Sequence, residues 1–145
     1  MNILLIIGTS LILLYGVLTE CKLKFEDVST LPEYSTLVKD PYSLKTEMYI
    51  CGVNLPPGYG SDINIYTIHP VKDGRIKGRE IISEDVLKPG TVLEIQSIEK
   101  SVNHLPGCQS IDAVVSVISY EKAVNVPIKI DLRYLQSTNY VSNLE

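Results

Sequence analysis

The stretch VPIKIDLRY, Val126 to Tyr134, decides the fold class. Val126, Ile128, Ile130, Leu132 and Tyr134 occupy alternate positions, and Lys129, Asp131 and Arg133 fill the places between them. Successive side chains of a strand point to opposite faces, so strict period two predicts a strand with one dry and one wet face. Pro127 shares the wet face near the start, where a missing backbone donor is tolerated.

Working outward from this segment, β patterning continues upstream. TEMYICGV (Thr46 to Val53) is rich in β-branched and aromatic residues. SDINIYTI (Ser61 to Ile68) alternates Ile63, Ile65 and Thr67 with Asn64, Tyr66 and Ile68. REIIS (Arg79 to Ser83), TVLEIQSI (Thr91 to Ile98) and the segment Ser110 to Tyr120, with Ile111, Ala113, Val115 and Val117 on one face, complete the set. Turn chemistry separates them: Pro56-Pro57-Gly58-Tyr59-Gly60, the hairpin signal Asp73-Gly74, Lys88-Pro89-Gly90 and Pro106-Gly107. Tyr66, Tyr120 and Tyr134 read as packing groups. The expected architecture is all-β, a single small antiparallel barrel or sandwich of about six strands over residues 44–145. Residues 21–43 mix Ser, Thr, Asp and Pro with isolated apolar residues. They read as a linker and short opening element, with a one- or two-turn helix around Glu33 to Val38 and Pro32 at its first position.

The other end of the chain has a different composition. The 145 residues have a mean hydropathy of +0.14, with 45% hydrophobic and 21% charged residues. Met1 to Thr19 contains no charged side chain, and without it the apolar share falls to about 41%, an ordinary globular value. One domain of common size remains, and multi-span membrane, disordered, collagen-like and disulfide-dense classes are excluded. Residues 1–20 are expected to be an apolar leader helix, a signal peptide or a membrane anchor. The run Asn2 to Thr19 lies on the border between a signal core and a spanning helix. No Lys or Arg precedes it, and Lys22 and Lys24 follow it, which weakens a simple N-in orientation. Cleavage fits best after Thr19, without the usual small-residue signature. Leu18-Thr19-Glu20-Cys21 resembles a bacterial lipobox and makes Cys21 the candidate lipidation site, although Glu20 departs from the small residue expected there. Lipidation, cleavage and retention as an anchor stay open, and all three put the domain outside the cytoplasm. The competing reading is a buried N-terminal helix in a cytosolic protein.

If Cys21 is lipidated or removed, Cys51 and Cys108 remain. In an oxidising compartment they form one expected disulfide, closing residues 51–108 into a loop worth about 4 kcal/mol of chain entropy. The competing reading is two buried thiols.

Catalytic signals are sparse. The histidines are His69 and His104. His69, ending a strand before Pro70, reads as a surface strand-end residue. His104 and Cys108 have the spacing of two metal ligands but lack a second pair, so no metal site and no cofactor are expected. Gly58 and Gly60 lack the setting of a nucleotide-binding loop. Glu84 and Asp85 read as a solvated turn before Val86 rather than an acid–base pair. A net charge of −4 and the absence of Trp and of any basic run argue against nucleic acid. The mildly functional feature is the PPGYG loop: Pro57, Gly58 and Tyr59 are candidate partner contacts, tyrosine on a rigid loop being a frequent recognition residue. Against this stands a Tyr59 that packs back on the domain.

CGVNLPPGYGSDINIYTIHP (Cys51 to Pro70), VLKPGTVLEIQSIE (Val86 to Glu99), PGCQS (Pro106 to Ser110) and VPIKIDL (Val126 to Leu132) give the chain its resemblance. It resembles small exported bacterial proteins of uncharacterised function, many of them lipoproteins. The resemblance implies a cell-envelope location and no defined reaction. The expected function is a non-catalytic binding or interaction module presented outside the cytoplasm, with a protein partner and a membrane attachment through the leader. The alternatives are an immunity or inhibitor protein against a toxin or envelope hydrolase, and a structural component of an envelope assembly that uses an exposed strand edge.

Overall fold

The computed structural model describes residues 24–54, 62–75, 81–102, 110–118, 120 and 126–144. These form nine strands: β1 (Phe25–Asp27), β2 (Pro41–Leu44), β3 (Met48–Val53), β4 (Ile65–Pro70), β5 (Ile81–Leu87), β6 (Val92–Ser101), β7 (Ile111–Ile118), β8 (Ile128–Asp131) and β9 (Val141–Asn143). A single helical turn, α1 (Leu132–Leu135), follows β8, and 3-10 turns occupy Leu37–Lys39 and Val71–Asp73. All strands belong to one sheet in the order β5-β3-β4-β8-β7-β6-β2-β9, with β1 paired to β6 beside β2.

Two connections force this sheet to roll. β2 and β3 stand five places apart in the sheet, as do β5 and β6. A flat sheet would separate each pair by about 24 Å at ordinary strand spacing. Residues 45–47 join the first pair and residues 88–91 the second. Those links span at most about 14 Å and 18 Å when fully extended. The sheet therefore curls around a single core made by Met48, Ile50, Ile68, Leu93, Ile98, Ala113 and Ile130, each no more than 3% exposed. Lys88-Pro89-Gly90 makes the expected tight turn, with Gly90 at φ 89° and Thr91 N–H donating to the Lys88 carbonyl at 3.1 Å.

The long strand β6 serves both halves of the curl. Leu93 and Ile95 face the core, then the register shifts between Ile95 and Ser97, and Ile98 faces the core in turn. The extra residue bends the strand. One edge of β6 can then take β2 at Val92–Glu94 and β1 at Glu99–Ser101 in succession.

Several sequence expectations need correction. The strands number nine rather than about six, because β1 and β2 lie in the stretch read as a linker and β9 follows the last expected strand. The sheet is open rather than a closed barrel or a sandwich of two sheets. It is not wholly antiparallel, since β4 and β8 pair in parallel. β8, the strand expected to run to Tyr134, stops at Asp131. Asp131 is the N-cap of α1, its side chain accepting from the Arg133 N–H at 2.9 Å, and this local bond ends the ladder. No helix covers Glu33 to Val38, where turns lead into the 3-10 turn. Asp73-Gly74 closes a 3-10 turn, with Gly74 at φ 85°. Glu84 and Asp85 lie inside β5. Among the described residues no helix is long and apolar enough to cross a membrane. The leader and Cys21 lie outside the described residues.

Candidate functional site

Core packing on the inner face leaves the alternate residues of β1, β6, β7 and β8 on the outer face. Ladder register then aligns four carboxylates. Asp27 pairs with Glu99, Glu99 with Asp112, and Asp112 with Asp131. Directly opposed like charges cost a sheet up to about 1 kcal/mol each, so this row needs compensation.

The compensation is local and incomplete. The Ser29 hydroxyl and backbone N–H both donate to Asp27, and these bonds hold its carboxyl below the usual range. Lys129, its side chain only 11% exposed, donates to Glu99 at 2.5 Å while its ammonium sits 3.5 Å from the centre of the Phe25 ring. Arg133 donates to both oxygens of Asp131 through Nε at 3.0 Å and to Oδ2 through Nη2 at 2.6 Å. Asp131 is desolvated, but its bonds to Arg133 outweigh the burial and keep the carboxyl low. Asp112 has the Ser110 hydroxyl at 2.9 Å. Burial pushes Asp112 up, and the charges of Asp131 and Glu99 add to that push against the help of Ser110 and Lys129. Two cations thus face four carboxylates. A groove of about 500 Å³ opens beside the row, lined by Tyr34, Ser110, Ile111, Asp131, Leu132, Arg133 and Gln136.

The same outer face continues onto β4, β3 and β5. Thr67 pairs with Lys129 on one side and with Cys51 on the other, and Cys51 pairs with Glu84. One step along, Tyr49 opposes His69, with ring centres 5.3 Å apart. His69 is 8% exposed, so the surface reading of this residue is wrong. The Gly74 backbone approaches its ring without hydrogen-bond geometry, and both ring nitrogens lack a partner among the described residues, as does the Thr67 hydroxyl. Burial holds the imidazole below its ordinary value, which the Gly74 backbone, then Glu84 and Asp73, partly restore. Arg75 Nε lies 3.2 Å from Glu84.

Cys51 is fully buried and free, its thiol pushed up by burial and by the Glu84 charge, so the expected bridge to Cys108 is not seen. A desolvated thiol of this kind is a packing group rather than a nucleophile. Cys108, His104 and the loop residues Pro57, Gly58 and Tyr59 lie outside the described residues. Among the described residues no cluster of three or more potential ligands can hold a metal ion.

The acidic row escaped sequence reading. Each carboxylate is visible as the polar member of an alternating strand, but only register brings residues of four distant segments into line. Comparisons with family models, with curated proteins and with solved structures return no match.

Proposed function

We propose that this chain is a non-catalytic binding module, exported and held at the cell envelope by its leader, which engages a basic protein partner through the outer face of β1, β6, β7 and β8. One observation carries the reading: Asp27, Glu99, Asp112 and Asp131 stand in register, and among the described residues Lys129 and Arg133 are the cations paired with them. Basic side chains laid across the row relieve the repulsion that the fold retains, and the adjoining groove, with Tyr34, Ile111 and Leu132 among polar neighbours, offers mixed surface for the rest of the contact. The buried Cys51 thiol and the desolvated His69 ring, whose nitrogens have no side-chain partner among the described residues, favour binding over catalysis, because neither is poised as an activated nucleophile or base. Export rests on the uncharged leader. Immunity or inhibition of a basic toxin or hydrolase is a special case of the same surface.

The test is binding of a Lys/Arg-rich peptide to the full chain, followed by calorimetry at two salt concentrations. Salt-sensitive binding that Asp112→Asn and Asp131→Asn each weaken supports the reading. Equal binding by wild type and both variants overturns it. A second reading, strand-edge assembly, is favoured by β5, a terminal strand of the sheet whose Ile82 and Val86 are 38% and 39% exposed.

A further inference from the structure

β1 leaves one of its two edges open. The Val102 N–H donates to the Lys24 carbonyl at 3.0 Å, and the Val28 N–H to the Ile98 carbonyl at 2.8 Å. These bonds flank the register pairs Phe25–Ser101, Glu26–Lys100 and Asp27–Glu99. In an antiparallel ladder, hydrogen-bonded and non-hydrogen-bonded pairs alternate. Lys24, Glu26 and Val28 therefore point their backbone groups at β6, and Phe25 and Asp27 point theirs away from it. Among the described residues nothing bonds to those two N–H groups or those two carbonyls. All three residues of β1 are exposed, Phe25 at 38%. Two donors and two acceptors, spaced two residues apart on an exposed edge, are what an added strand uses. The edge of β5 is less open, since the Asp85 side chain already accepts from the Val86 N–H at 2.9 Å.

The same edge ends the acidic row. Asp27 pairs with Glu99, and Glu99 with Asp112. A strand laid on β1 puts one residue directly opposite Asp27, at the next place in the row. A basic residue there meets a carboxylate, whereas an acidic one extends the repulsion. Two places along on the same face, the added strand passes the exposed Phe25 ring, which offers it apolar contact. A second copy of the chain fits poorly. The antiparallel register that uses all four groups of both copies pairs Phe25 with Asp27 and so opposes Glu26 to Glu26, a like-charge pair.

We propose that β1 receives an extended segment of the partner as an added antiparallel strand, with a Lys or Arg opposite Asp27 and an apolar residue opposite Phe25. This rests on the basic-partner reading and specifies how that partner is held. Main-chain bonds to Phe25 and Asp27 fix the register, and the Asp27 charge selects the residue that faces it.

The test uses the full chain and an end-capped peptide, Thr-Lys-Thr-Val-Thr, which sets its Lys opposite Asp27 and its Val opposite Phe25. A control peptide carries methyl groups on the backbone nitrogens of Lys and Val, which removes the two donors and keeps the charge. Amide exchange read by NMR should show the Phe25 and Asp27 N–H groups protected by the peptide and not by the control. Asp27→Asn should weaken the peptide by up to about fivefold. Equal binding of peptide and control, or no protection at Phe25 and Asp27, overturns strand addition. If the Lys/Arg-rich peptide still binds in that case, the basic-partner reading stands; if it fails too, both fall. Protection of Phe25 and Asp27 in the chain alone, together with a dimer in sedimentation, puts a second copy on the edge and likewise overturns the proposal. The methylated control needs no variant, so the test survives if Asp27→Asn does not fold.

Discussion

Asp112 on β7 and Asp131 on β8 are direct register partners on the outer face, and Arg133 forms its ion pair with the second of them. Asp112 is left with the Ser110 hydroxyl and the more distant Lys129 charge. Burial and the neighbouring carboxylates raise its pKa in the folded chain above the ordinary 3.8. The folded chain thus binds this proton more tightly than the unfolded chain. On this group's account stability is full at low pH and falls as pH rises from 3.8 through the raised value. Asp112→Asn keeps an acceptor for Ser110 and removes the charge. At pH 7 it should stabilise the fold by up to about 1 kcal/mol in urea unfolding. The gain should fall away as pH drops through 3.8 and vanish below about pH 3, where the wild-type carboxyl is protonated in both states. A loss of stability at pH 7 would refute the repulsion argument.

Asp131 does two jobs that a substitution separates. It caps α1 through the Arg133 N–H and pairs with the Arg133 guanidinium, which is 82% exposed. The exposed pair is worth little, whereas a missing cap costs about 1 kcal/mol. Asp131→Asn should therefore cost a few tenths of a kcal/mol and Asp131→Ala about 1 kcal/mol. Equal losses in thermal or urea unfolding would show that the charge, not the cap, matters here.

This cap also explains how far the sequence could be read. Val126 to Tyr134 alternates without a break, so period two alone carries the strand three residues too far, through Tyr134. The cap that ends the strand is a local bond from the Arg133 N–H to the Asp131 side chain, which alternation does not show. Ile128, Ile130, Ala113 and Val115 were legible as inward residues because burial follows the period. The parallel pairing of β4 with β8 was not legible, since pairing depends on the whole sheet's curl. His69 was misread for a related reason. Its strand-end position is visible in the sequence, whereas the cover over it comes from segments distant in the chain.

Gly52 sits where β3 shifts register against β5. A Cβ there would lie 2.5 Å from Ser83 Oγ and 2.6 Å from Ile63 Cδ1. Both are side-chain atoms, but Ile63 Cγ1 also lies at 3.1 Å, so turning the terminal methyl away does not clear the site. Gly52→Ala should cost about 1–3 kcal/mol, the range for overpacking a filled site. The double variant Gly52→Ala with Ile63→Val should recover part of the loss. No recovery would locate the strain in the backbone rather than at Ile63.

Lys129 is the buried counter-charge of the acidic row. Its side chain is 11% exposed, and it lies between Glu99, which it pairs, and the ring of Phe25. Removing it would leave Glu99 between Asp27 and Asp112 with no cation on β8 to meet it. Breaking a buried pair on one side costs more than the pair contributes, because the abandoned charge stays desolvated. Glu99 is 27% exposed, so water offsets part of that penalty. Lys129→Met should destabilise by about 2 kcal/mol at pH 7, less than a fully buried pair would lose. Adding Glu99→Gln should restore most of the loss, since both partners are then neutral. The double-variant cycle in urea separates this from loss of alkyl packing against Phe25, which Glu99→Gln cannot repair. An additive cycle would mean that Lys129 holds the sheet by packing, and that the row of carboxylates is balanced by solvent instead.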